Sequence, residues 1–160
     1  FNEQSGRELL VGMIQATSGK KFEDKASDEF FELADEARHL YALIAVASSF
    51  RFSLTKSELL IGVGGANNRV LNELDQLVRR HVISTVSGDH NSFRARHRVI
   101  AEIIFGRLQS AGQLFEILRG LALIAATQVN PQMPRSARPR RLLVRIINHD
   151  FRNSEIRIVS

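Results

Sequence analysis

The sequence predicts a mainly α-helical fold: a helical bundle with a winged-helix core, that is, a helix-turn-helix followed by a β-hairpin. Three observations predict it. Apolar residues recur at helical spacing through most of the chain. Three helical segments succeed one another between residues 35 and 80, the second opening on a capping-box spacing. A β-branched run, a Gly-containing turn and a returning run then follow directly over residues 82–96.

Each element has a local reason. Ser5 to Thr17 places Leu9, Leu10, Met13 and Ile14 on one stripe, with Gly19 as its stop. A second helix is predicted from about Asp24 to Leu33, with Phe22, Ala26, Phe30, Phe31 and Leu33 as its apolar residues. Both segments read as packing. Asp35 to Phe50 is a third helix burying Leu40, Leu43, Ile44 and Ala47, and Arg51-Phe52-Ser53 breaks it. In Thr55-Lys56-Ser57-Glu58 the hydroxyl and the carboxylate can satisfy two orphan backbone donors, so a short helix starts there. It ends at Gly62, and Gly64-Gly65 turns the chain. Asn67 to Arg80 follows as a longer helix with Val70, Leu71, Leu74, Leu77 and Val78 on its apolar side. Val82 to Val86 is a short strand, Ser87 to Asn91 a turn, and Ser92 to Arg96 the partner strand. A helix beginning near His97 buries Val99, Ile100, Ile103, Ile104 and Leu108. Residues 111–127 give another helix, with Leu114, Phe115, Leu118, Leu121 and Ile124 as core candidates. All three prolines fall between Asn130 and Arg141, marking a corner. Arg140 to Asn148 can then be helical, burying Leu142, Leu143, Ile146 and Ile147.

Composition bounds the function. The 160 residues are 44% hydrophobic and 24% charged, which is globular rather than disordered. With no Cys there is no disulfide framework, thiol nucleophile or thiolate zinc site. The longest apolar runs, Leu43 to Ala47 and Leu121 to Ala126, fall far short of the ~20 residues of a membrane span. The chain begins at Phe1 without a basic-plus-apolar leader, and is expected to be a cytoplasmic segment of a larger protein. Residues 1–80 carry 10 basic and 12 acidic side chains, residues 81–160 carry 12 and 5, and every cation of the second half is Arg. Clustered Arg suits phosphate or carboxylate recognition, although an Arg-rich solvated face has the same composition.

Catalytic motifs are missing. Gly19-Lys20 lacks the upstream Gly of a phosphate loop and is followed by Lys21. Gly62-Val63-Gly64-Gly65 follows a helix and lacks the later Gly of a dinucleotide fingerprint. There is no nucleophile elbow or H-E-x-x-H helix. His39, His81, His90, His97 and His149 never pair at i, i+4, so no metal site is predicted. Asp28-Glu29 and Asp35-Glu36 read as helix-dipole partners or solvated charges. No catalytic residue is assigned.

Two binding candidates remain. Helix 67–80 could read DNA through Arg69, Arg79 and Arg80, with Arg94 and Arg96 from the wing on phosphates. Glu73 and Asp75 on the same face oppose a close phosphate backbone, as an ordinary outer face of a core helix would. The second candidate is the strand-to-helix corner. A helix N-terminus favours anions, and Arg96, His97 and Arg98 at that start add donors suited to a phosphate.

Leu40-Tyr41-x-Leu43-Ile44-Ala45-x-Ala47 together with Phe93-Arg94-Ala95-Arg96-His97-Arg98-Val99-Ile100-Ala101-Glu102 resembles the region after the nucleotide-binding core of STAND-class NTPases. These are AAA+-related signal-transduction ATPases that include bacterial antiviral sensors. Gly6-Arg7-Glu8-Leu9-Leu10-Val11, with Ala16-Thr17-x-Gly19-Lys20, is similar to the helical lid before the winged helix of that family. Leu143-x-Arg145-Ile146-Ile147-Asn148-His149-Asp150 is similar to the start of its C-terminal helical array. The resemblance implies a lid segment over 1–34, a winged-helix domain over 35–110 and the start of a C-terminal helical region over 111–160. It further implies a regulatory, non-catalytic module whose partner is the NTPase domain of the same parent chain, with homo-oligomerisation on activation. ATP or ADP with Mg would be held by the parent, since the Walker motifs are absent here. In the family a His contacts the bound diphosphate and holds the closed state. The matching position is His97, flanked by Arg96 and Arg98 in place of the Met and Asp of plant and animal relatives. A DNA-binding regulator and a helical protein-interaction adaptor are the alternative readings.

Overall fold

The computed structural model describes residues 3–18, 22–65 and 67–159, with side chains described for 5–13, 23–65 and 67–149. In chain order its elements are α1 (Glu3–Ser18), α2 (Phe22–Phe31), α3 (Asp35–Ser49), β1 (Leu54–Thr55), α4 (Lys56–Gly62), α5 (Asn68–Arg79), β2 (Ile83–Val86), β3 (Asp89–Ala95), α6 (Arg98–Ser110), α7 (Leu114–Gln128) and α8 (Arg138–Val159).

The sequence of α3 explains the architecture. Its residues from Leu40 to Ala47 are buried without interruption, so the helix is apolar on every face and must be surrounded. It is flanked by α5, α6, α7 and β3, and one hydrophobic cluster runs from Phe30 through these elements to Ile146 on α8. Two glycines let α4 and α7 approach it closely. A Cβ on Gly62 would meet Ile124 Cδ1 at 2.9 Å and Leu43 Cδ1 at 3.0 Å, and one on Gly120 would meet Leu43 Cδ2 at 3.1 Å. Gly62 therefore does more than end a helix.

The helix starts follow the local chemistry read from the sequence. Glu58 N–H donates to Thr55 Oγ1 at 3.2 Å, and Thr55 N–H donates to Glu58 Oε1 at 3.0 Å, closing the capping box of α4. Val70 N–H donates to Asn67 Oδ1 at 2.8 Å and starts α5. Four helix ends share one geometry, the first after α4, where Gly64 takes φ 91° and its own and the next N–H reach back to Ile61 and Leu60. After α6, Gly112 takes φ 71° while its own and the next N–H reach back to Gln109 and Leu108. Arg51 after α3 (φ 66°) and His81 after α5 (φ 56°) adopt the same left-handed turn with the same pair of bonds, to Ser48 and Ala47 and to Val78 and Leu77. This motif normally takes glycine, because a Cβ is disfavoured at positive φ.

The strands form one antiparallel sheet in the order β1-β3-β2. Leu54 pairs with Phe93 and Thr55 with Ser92 on one side, and Ile83 pairs with Ala95 and Ser84 with Arg94 on the other. A register irregularity lies between Thr85 and Val86. The returning strand is longer than the sequence suggested. It starts at Asp89 because the turn needs only Ser87 and Gly88, the latter at φ 81°. Asp89 then accepts from Asn91 N–H at 3.0 Å and from Ser92 Oγ at 2.7 Å. Two-residue β1 was not anticipated, since it exists only through its pairing with β3.

Other expectations about burial change. Leu9 and Met13 are 58% and 60% exposed, because α1 packs mainly along α2 and the neighbouring helix covers one side of it. Phe31 is exposed as well, whereas Phe30 and Leu33 are buried. Ile14 and Phe22 lie outside the residues whose side chains are described, and Gly19 and Lys20 outside the described residues altogether. On α7 the buried set is Leu114, Ile117, Leu118, Leu121, Ile124 and Ala125, which turns Phe115 into solvent at 64% exposure. The helix 140–148 of the sequence reading begins at Arg138 and continues to Val159, with Leu142 and Ile146 buried but Ile147 exposed. Among the described residues no helix is long and apolar enough to cross a membrane.

Candidate functional site

The β3-to-α6 corner is held from behind by α3. Ala95 N–H donates to Ser48 Oγ at 2.9 Å, so the end of β3 is pinned to the end of the central helix. His97 follows in extended backbone as the residue that caps α6, and its side chain makes no capping hydrogen bond. The imidazole instead lines a cleft of about 780 Å³ between α6 and α1, together with Arg7, Glu8, Arg98 and Glu102. Partial burial lowers its pKa from the usual 6.5, and the neighbouring Arg96 charge lowers it further. Both effects favour the neutral imidazole, which has one ring nitrogen to donate and one to accept.

The arginines beside it are not equivalent. Arg98 Nε donates to Glu102 Oε1 at 3.0 Å, one turn further along α6. Arg7 of α1 reaches the other oxygen of the same carboxylate at 3.5 Å. Glu102 thus compensates both guanidiniums that line the cleft. Arg96 is exposed and does not line it. The corner joins His97 and Arg98 in one cleft, but the expected triple cluster does not assemble inside it.

The other sequence candidates also divide. Arg69 Nε lies 3.2 Å from Glu36 of α3, and Arg79 lies 3.0 Å from Asp75 on its own helix. These two cations of α5 are engaged with carboxylates. Arg80, Arg94 and Arg96 are exposed and form no ion pair among the described residues. Among the described residues no three His, Asp or Glu side chains converge as a metal site would require.

A second cleft, of about 560 Å³, was not singled out by the sequence. It opens between the turn after α3, the proline-bearing loop and α8, and Arg51, Arg135, Arg141 and Arg145 line it. Beneath them Phe50, Phe105 and His149 pack as a ring cluster with centroids 5.0–6.2 Å apart. The Arg141 guanidinium sits 5.7 Å from the centroid of Phe52. The neighbouring arginines are already used. Arg140 donates to the carbonyls of Asn130 and Pro131, while Arg138 donates to the Ser53 carbonyl and, at 2.9 Å, to Glu58 Oε2. Glu58 is 2% exposed. Burial pushes its carboxyl pKa up, but the Arg138 and Thr55 hydrogen bonds with the Arg138 charge outweigh that and hold it below the usual 4.5. The pair fastens α8 to the β1–α4 corner and so fixes the cleft wall. The signal in the sequence was the density of Arg from 135 to 145; what separates anchors from free cations is the fold. Comparison of the chain with family models, with curated proteins and with solved structures gives no match in any of the three.

Proposed function

We propose that the chain is the non-catalytic regulatory module of a STAND-class NTPase, coupling nucleotide state to conformational switching, in a setting such as bacterial antiviral sensing. The observation that carries the reading is the placement of His97. It has no capping duty, its surroundings favour the neutral ring, and it stands at the start of α6 where first-turn N–H groups lack helical partners, facing a cleft against α1. A terminal phosphate of a bound nucleotide suits that combination of a neutral donor and a helix N-terminus.

The topology supports the same reading. The order α3-β1-α4-α5-β2-β3-α6, with β3 central in the sheet, is the order expected of a winged helix. On this reading 1–34 is the lid segment, 35–110 the winged-helix domain and 111–160 the start of the C-terminal helical region. ATP or ADP with Mg is held by the NTPase domain of the parent chain, and the His97–phosphate contact favours its closed state. Loss of the contact releases the parent toward homo-oligomers.

The test is His97→Ala in the parent protein, reading nucleotide retained through purification and particle mass by light scattering. The expected result is at least a several-fold loss of retained ADP with a shift toward larger assemblies. Unchanged retention and mass would remove the phosphate contact and the switch built on it.

A further inference from the structure

We propose that the second cleft, walled by Arg51, Arg135, Arg141 and Arg145, binds consecutive phosphate groups. This is independent of the His97 reading and uses different elements.

The placement of charge carries the proposal. Four guanidiniums from three separate stretches of chain meet around one opening, and among the described residues none of the four forms an ion pair. Arg141 and Arg145 stand at i, i+4 on α8, where like charges repel. The same region supplies partners to its other arginines, since Arg138 has Glu58 and Arg140 has two backbone carbonyls. Among the described residues, compensation is therefore missing selectively at the cleft.

The cations are also positioned rather than loose. Arg51 occupies a left-handed position (φ 66°) that suits glycine, as Gly112 shows at the end of α6. The Arg141 guanidinium sits over the Phe52 ring, 5.7 Å from its centroid, within cation–π range. Asn148 adds an amide to the same wall.

An anion returns what these groups lack, and guanidinium forks match phosphate oxygens two at a time. Four guanidinium charges exceed the roughly two negative charges of one phosphate monoester at pH 7, which points to adjacent phosphates. Two sources share that chemistry: a free polyphosphate chain, as in a nucleoside triphosphate, and the backbone of a nucleic acid strand.

The test uses the 160-residue chain. Binding of a labelled mixed-sequence oligonucleotide is followed by anisotropy between about 50 and 200 mM salt, and of tripolyphosphate by calorimetry. Binding of at least one probe is expected, weakened about tenfold or more by Arg141→Gln with Arg145→Gln, with the logarithmic salt slope for the oligonucleotide reduced by about 2. Arg135→Gln with Arg145→Gln repeats the test without disturbing the Phe52 contact, and melting temperature confirms folding of both. Arg119→Gln, on α7, should change neither affinity nor slope. Tripolyphosphate bound as tightly as the oligonucleotide identifies the free-chain source, and a much tighter oligonucleotide identifies the strand. Three results would overturn the proposal: neither probe binding at low salt, loss carried by Arg94→Gln with Arg96→Gln instead, or an acidic peptide of equal charge binding as tightly as the phosphates.

Discussion

The two clefts differ less in how many cations they contain than in what stands opposite them. In the α1–α6 cleft Arg7 and Arg98 share the carboxylate of Glu102, so His97 is left as the distinctive group. In the α3–α8 cleft four arginines line one opening with no ion pair among the described residues. Formal charge along a chain is therefore a poor guide to available charge. A carboxylate one helical turn away, as Glu102 is from Arg98, removes a cation from use, while cations gathered from distant stretches remain available.

The largest expected effect tests what holds the second cleft together. Glu58→Ala removes half of a capping box and leaves Arg138 without its carboxylate, and should lower unfolding free energy by about 3 kcal/mol in urea titrations. The same pair sets an acid limb. Because the folded carboxyl lies below 4.5, its contribution is complete above that value and is lost as pH falls through the folded pKa. Glu58→Gln should flatten that part of the stability–pH curve. A drop under about 0.5 kcal/mol for Glu58→Ala would mean that α8 is held by apolar packing alone.

Next in size is Arg51→Gly. Releasing a side chain from positive φ should raise stability by about 1 kcal/mol, readable as a higher melting temperature. The same change should weaken phosphate binding, so stability and affinity move in opposite directions. A variant that is less stable would show that the Arg51 side chain supports the fold itself.

The smallest effect probes the first cleft. Glu102→Gln should alter stability by less than about 1 kcal/mol, since the pairs it breaks are solvent-exposed. It should nonetheless remove the negative charge opposite Arg7 and Arg98, and calorimetry with tripolyphosphate should show a second site that the unsubstituted chain lacks. An unchanged stoichiometry would mean that compensation by Glu102 is not what separates the two clefts.

Local chemistry made much of this fold legible. Thr55 and Glu58 are three residues apart, and both capping bonds form as their spacing implies. The Asn67 boundary, the apolar run of α3 and the hairpin after α5 were readable for the same reason: each depends on residues within a turn or two. The misses involve longer range. Strand β1 needs Phe93 to pair with Leu54, and the Glu58–Arg138 bridge spans 80 residues. Phe115 looked like core because it is large and helical, but only the direction of α3 decides which face of α7 is covered. His97 was readable as a candidate from its neighbours, whereas Arg51 was readable only as a helix breaker.

What the sequence by itself determined was the set of helices, the hairpin, their caps and the presence of an arginine-rich second half. Backbone hydrogen bonding and apolar periodicity act over a few residues, and those distances are written in the chain. Only the tertiary structure decided which arginines keep a carboxylate. Coulombic compensation depends on separation in space, and the fold brought Glu58 to Arg138 while leaving Arg51, Arg135, Arg141 and Arg145 around an open cleft.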